Sequence, residues 1–106
     1  MRFSGVNSFV LACKELQKAG FNPVFKFLEV RNEFKKNHLI IAALDATLLY
    51  NEMTDVLSFI FSDNNGEFKL SFTFEGIKSE TYKKIALRIE ELEKWNLKET
   101  TSNQMQ

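Results

Sequence analysis

The sequence predicts a two-layer α+β domain in which a mainly antiparallel sheet of three or four strands is packed by N- and C-terminal helices. Three observations predict it. Phe68, Leu70, Phe72 and Phe74 alternate with Lys69, Ser71, Thr73 and Glu75, the period of a strand with one buried and one wet face. Phe9, Ala12, Cys13 and Leu16 recur at three- and four-residue spacing, as do Tyr82, Ile85, Ala86, Ile89 and Leu92, and this is the stripe of an amphipathic helix. No repeat, no Pro-rich or Gly/Ser-rich linker and no shift of composition divides the 106 residues. Residues 1–95 are therefore read as one domain and the polar segment 96–106 as a flexible tail.

The first helix is expected from about Ser8 to Ala19, capped by Asn7 or Ser8. Gly20 suits the left-handed position that ends a helix, which sets Phe21 to fold back on Leu16. Pro23 cannot continue that helix, and the aromatic and β-branched run Val24–Arg31 reads as a strand followed by a turn through Asn32–Asn37. Residues 38–53 fit either a buried strand or a buried helix: Leu39-Ile40-Ile41 leans to strand, whereas the alanines and leucines after Ala42 lean to helix. Val56–Phe61 and Phe68–Phe74 flank Ser62–Glu67, where Asn65-Gly66 supplies the positive φ angles a hairpin turn needs. A last helix starts with Ser79 as N-cap and runs to about Trp95, supported by Glu80–Lys84 and Glu90–Lys94 pairs in the favourable order. The element order is then α-β-α-β-β-α or α-β-β-β-β-α.

Composition limits the class. Apolar residues make up 44% and charged residues 26%, both ordinary for a globular domain, so neither a disordered nor a fibrous chain is indicated. Phenylalanine stands out, with 11 copies against one Trp and two Tyr, and supplies core surface without polar handles. A lone cysteine, Cys13, allows no internal disulfide, and the N-terminal residues lack the apolar run of a signal peptide, so a cytoplasmic location is expected. The greasiest stretch, Leu39–Leu49, is interrupted by Asp45 and Thr47 and is too short to span a bilayer, so no membrane partner is expected.

No catalytic or cofactor signature emerges. A nucleophilic triad can be written from Cys13, His38 and Asp45, yet Cys13 falls on a core-facing stripe and no local motif supports the set. One Cys and one His leave any metal site to carboxylates that are not clustered, and the glycines Gly5, Gly20, Gly66 and Gly76 are scattered rather than gathered into a phosphate-binding loop. Glu90, Glu91 and Glu93 read as the solvated side of a helix with lysine neighbours. The expectation is a protein that is not an enzyme and holds no cofactor or metal.

Two surfaces remain as candidates for macromolecular binding. Net charge is zero, but residues 1–36 hold seven basic against three acidic side chains, and the remainder is correspondingly acidic. Asp63, Glu67, Glu90 and Glu91 would offer carboxylates to a basic protein partner. Lys26, Arg31, Lys35 and Lys36, interleaved with Phe25 and Phe27, would instead offer a cationic sheet region with rings for base stacking. Against the second reading, lysines outnumber arginines and an i, i+2 pair of phenylalanines is what one buried strand face produces. The leading expectation is a small non-catalytic binding protein of inhibitor, immunity or adaptor type, with a composition in keeping with a phage or mobile element. The alternative is an accessory nucleic-acid binder, and an open sheet edge would also permit a homodimer.

Overall fold

Burying this many phenylalanines requires a broad apolar surface, and a four-stranded antiparallel sheet provides it. The computed structural model describes residues 1–63 and 67–104. In chain order the elements are β1 (Arg2–Ser4), α1 (Val6–Lys18), α2 (Val24–Lys36), a 3-10 turn at Ile41–Ala43, β2 (Asp45–Asn51), β3 (Val56–Ser62), β4 (Lys69–Phe74) and α3 (Ser79–Gln104). The strands lie side by side in the order β1-β2-β3-β4, every neighbouring pair antiparallel. This is the expected two-layer α+β architecture.

Alternation sorts the side chains to two faces. Phe3, Ala46, Leu48, Leu57, Phe59, Phe61 and Phe72 are buried on the inner face. Thr47, Leu49, Ser58, Ile60, Ser71 and Thr73 occupy the outer face, in cross-strand rows Thr47–Ile60–Ser71 and Leu49–Ser58–Thr73. All three helices cover the inner face. Phe9 of α1 reaches Phe61 at 4.8 Å, Phe59 at 5.8 Å and Phe72 at 6.5 Å between ring centres. On one side of α1, α2 lies over β4, with Phe27 stacked on Phe9 at 5.7 Å and Phe34 edge-on to Phe68 at 5.2 Å. On the other side α3 runs antiparallel to α1 and reaches β1.

Three expectations are corrected. Val24–Arg31 is not a strand: it forms most of helix α2. Its buried residues Val30 and Phe34, with half-buried Phe27, fall at helical spacing, and this packing outweighs the strand preference of the aromatic and β-branched run. Asn22 and Pro23 begin the helix, Asn22 Oδ1 accepting from the Val24 N–H at 3.4 Å and Pro23 needing no donor there. The helix ends on a Schellman motif, with the N–H of His38 donating to Lys35 O and that of Leu39 to Phe34 O, and His38 at φ 59.

The second correction concerns residues 38–53, where the leanings are reversed: Ile41–Ala43 is a 3-10 turn and Asp45–Asn51 is the strand. Ala46 and Leu48 point inward while Thr47 and Leu49 point outward, and the apolar Leu49 on the wet face hides the alternation. Both predicted element orders are therefore replaced by β-α-α-β-β-β-α. The third correction is at the N-terminus. Arg2–Ser4 adds a short edge strand, and α1 starts at Val6 behind Gly5, whose φ of 87 disfavours a side chain, with no side-chain cap from Asn7 or Ser8.

Other expectations hold. α1 ends as read, with the Gly20 N–H donating to Gln17 O and the Phe21 N–H to Leu16 O. β3 and β4 form the expected hairpin, whose Asn65-Gly66 turn lies outside the described residues. The start of α3 at Ser79 also holds, but its end does not: the helix runs past Trp95 to Gln104, through most of the segment read as a tail.

Freed from capping, Ser8 does something else. It is fully buried, and its hydroxyl donates to Glu93 Oε1 at 2.7 Å. The same carboxylate accepts from the Ser4 N–H at 3.2 Å, so it lies beside the first turn of α1, where unpaired N–H groups favour a negative charge. Glu93 is thus a tie between helices rather than a solvated surface charge. Glu15, nearly buried, makes a second tie by accepting from Lys18 at 3.3 Å and Arg88 at 3.5 Å.

Replacing Glu93 by Ala strands the buried Ser8 hydroxyl and is expected to cost about 1–3 kcal/mol, with much of that cost absent in a Ser8→Ala background. Urea denaturation of the two single variants and the double variant measures this coupling; strictly additive losses would show that the two side chains do not depend on each other.

Candidate functional site

Turning a strand into a helix redistributes the aromatic and basic residues of the segment. Successive alternate residues share one face of a strand but stand about 200° apart around a helix. Phe27 therefore packs inward on Phe9, whereas Phe25 points away and is 74% exposed. Val24 and Leu28 flank it on the outward side, 49% and 42% exposed. Single exposed apolar side chains are ordinary on a soluble protein, as Met53 and Leu87 illustrate here; three within five residues of one helix form a patch.

The patch continues into a groove. Val10, Cys13, Lys14 and Gln17 recur every three or four residues on the side of α1 that faces α2, and with Pro23, Val24 and Phe27 they line a depression of about 180 Å³. Small-molecule sites are generally larger, roughly 300–1,000 Å³, so the groove suits a side chain of a partner better than a whole ligand. Val24 belongs to both features and makes them one surface.

The basic residues divide on the same helix. Lys26, expected to be available to a phosphate, is occupied: its Nζ lies 5.3 Å from the centre of the Phe72 ring and 3.7 Å from Glu29 Oε2. Arg31, Lys35 and Lys36 are exposed on the outward side, and neither they nor Lys14 has an ion-pair partner among the described residues. The four cations proposed for a sheet face are thus on a helix, three of them free, with Lys36 nearly in line with Phe25, Lys35 with Leu28 and Arg31 with Val24.

The acidic candidates are distributed differently. Asp63 and Glu67 sit at the end of the β3–β4 hairpin, bordering a hollow of about 650 Å³ with Glu33 and Asn37 at the end of α2 and Lys69 at the start of β4. Asp63 already works within the hairpin, its Oδ1 accepting from the Phe68 N–H at 3.1 Å. Glu90 and Glu91 ride on α3, at the opposite margin of the helix layer, and Glu91 faces Arg88 at 3.8 Å. Lys83, Lys84 and Lys94 are exposed on that same helix, so its outward side is of mixed charge. The four carboxylates fall in two separate places.

Cys13, His38 and Asp45 are not brought together. Asp45 pairs with Arg2 at 3.1 Å on the outer side of the sheet, His38 serves as the left-handed residue that ends α2, and Cys13 lies in the groove of the helix layer. Burial pushes the Cys13 thiol up to about 12, so it is protonated at neutral pH. Loss of water, followed by the hydrogen bond and charge of Asp55 and the charge of Glu52, raises the Tyr50 phenol as well. That hydroxyl donates to Ile77 O at 2.7 Å and closes the loop before α3.

Among the described residues no three His, Cys, Asp or Glu side chains converge to hold a metal ion, and no helix is long and apolar enough to cross a membrane. No family model, curated protein or solved structure matches the chain. Sequence reasoning missed Val24 and Leu28 because it made their segment a strand; the Asn22-Pro23 start and the spacing of Phe27, Val30 and Phe34 were the signals that point to the helix.

At pH 8 a thiol with its pKa near 12 is ionised to only about one part in ten thousand. Iodoacetamide should accordingly label native Cys13 far more slowly than the same cysteine in urea. Equal rates in the two states would mean that the groove wall does not hold the thiol as described.

Proposed function

We propose that the protein is a small non-catalytic binding protein that acts by occupying a macromolecular partner through the α1–α2 side of its helix layer. The observation that carries this reading is the continuous surface formed by Phe25, Leu28 and Val24 with the groove over Cys13 and Phe27. Solvent-facing Phe25 does no packing for its own fold at 74% exposure, and a large apolar side chain kept in water beside an apolar groove is what a hot spot of an interface looks like before its partner arrives. Inhibitor, immunity and adaptor proteins all work in this way, by covering a surface rather than by transforming a substrate.

A second reading follows from the free cations of α2. Lys36 lies in line with Phe25, and Arg31 and Lys35 with Val24 and Leu28, which brings together the charge and ring used to hold single-stranded nucleic acid. Such binding weakens steeply as salt rises, whereas the apolar contribution of Phe25 and Leu28 does not.

Affinity capture from the source cell, with nuclease present, separates these readings when the wild-type chain is compared with a Phe25→Ser/Leu28→Ser variant. The expected result is a protein partner recovered near one-to-one by the wild type and lost by the variant, while circular dichroism shows both folded. No stoichiometric partner, or undiminished recovery by the variant, would remove the basis for the proposal.

A further inference from the structure

The partner's chemistry can be read from the surface it would cover. α2 spans 13 residues, or about 20 Å at the rise of an α-helix. Its outward side is apolar at the N-terminal end, where Val24, Phe25 and Leu28 adjoin the groove, and cationic at the C-terminal end, where Arg31, Lys35 and Lys36 are exposed. Lys14 adds a positive charge to the groove wall. Of the acids of α2, Glu29 stands half-exposed one turn beyond Phe25 but is paired with Lys26, and Glu33 faces the hollow beside the hairpin. We infer that this surface receives an acidic protein segment carrying one or two large apolar anchors, which enter the groove while its carboxylates meet Arg31, Lys35 and Lys36. The inference rests on the binding role proposed above and specifies its ligand.

Three features favour a protein segment over nucleic acid. Val24 and Leu28 are aliphatic and give a base no ring to stack on, yet they make up most of the patch around Phe25. Lys26, the cation nearest to Phe25 in sequence, is held between Phe72 and Glu29. The groove that extends the patch is walled mainly by Val10, Cys13, Pro23, Val24 and Phe27 and offers a phosphate only Lys14. A second copy of this chain is a poor occupant too, because the exposed Leu87 and Trp95 of α3 are surrounded by Lys83, Lys84 and Lys94 as well as by acids.

Geometry fixes the spacing of the partner's residues. Phe25 and Lys35 are ten positions apart, or about 15 Å along the helix axis. A partner helix lying alongside would place its carboxylates about ten residues from its apolar anchor, whereas an extended segment would need only four or five.

Selection of a random 16-residue peptide library displayed on phage against the full-length protein tests this directly. Enriched peptides are expected to combine large apolar residues with Asp and Glu at one of these spacings. Their synthetic versions, measured by fluorescence anisotropy, should bind at least tenfold more weakly to Phe25→Ser and to Lys35→Glu/Lys36→Glu, and unchanged to Leu87→Ser. Neutral or basic peptides, no enrichment, or indifference to these substitutions would overturn the inference, as would a dT20 oligonucleotide binding more tightly than any selected peptide and depending on the same residues. If the natural partner is lost with Phe25→Ser/Leu28→Ser but retained by Lys35→Glu/Lys36→Glu, the binding role stands and the acidic chemistry falls.

Discussion

The arrangement depends on one side chain, the ring of Phe9. It is fully enclosed, meets Phe59 and Phe61 of β3 and Phe72 of β4, and stacks on Phe27 of α2. Aromatic pairs contribute about 0.5–1.5 kcal/mol beyond the surface they bury, and one ring here belongs to four such pairs. Because Phe9 is anchored over β3 and β4, α1 lies in the middle of the helix layer. What stands on either side of it is then determined by which partners α1 still offers: Ser8 and Glu15 toward α3, and the stripe from Val10 to Gln17 toward α2.

The two flanks are held by different chemistry. Between α1 and α3 the ties are polar and charge-assisted, made by Glu93 and Glu15, and they come with the buried contacts of Ile85 and Ile89. α2 is held from beneath by Phe27, Val30 and Phe34, and by Lys26 over Phe72, but nothing among the described residues covers its outward side. A helix at the margin of a layer needs one apolar stripe. α2 has that stripe and, in addition, Val24, Phe25 and Leu28 on the side that faces water. This surplus lies outside the packing that holds the helix, and the proposed binding role rests on it.

Much of the fold was legible in the residues because several signals coincided locally. Phe68 to Phe74 alternates without exception, Gly20 and Phe21 supply both requirements of a helix ending, and the stripe from Tyr82 to Leu92 runs through three turns. The segments misread are those where local preference and tertiary packing disagree. Phe25-Lys26-Phe27 has strand composition, yet Phe9 and the inner face of β4 reward a helix that lowers Phe27, Val30 and Phe34 together. In β2 the outward Leu49 makes a half-wet strand resemble a buried run. Arg2–Ser4 is too short to carry a pattern and exists because β2 offers it an edge. The candidate surface was half legible: its cations and Phe25 stood out by type, but only the helix shows that Phe25 and Phe27 face opposite ways.

The central claim is that Phe9 holds the fold while Phe25, on the same layer, does not. Urea denaturation of Phe9→Ala and Phe25→Ala, compared with the parent chain, tests it most directly. Removing a buried phenylalanine costs about 3–5 kcal/mol, and an exposed substitution stays within about 0.5 kcal/mol, so the account predicts a large loss for the first variant and almost none for the second. Comparable losses for the two would mean that Phe25 is packed in the native state, and the outward side of α2 would then not be the free surface described.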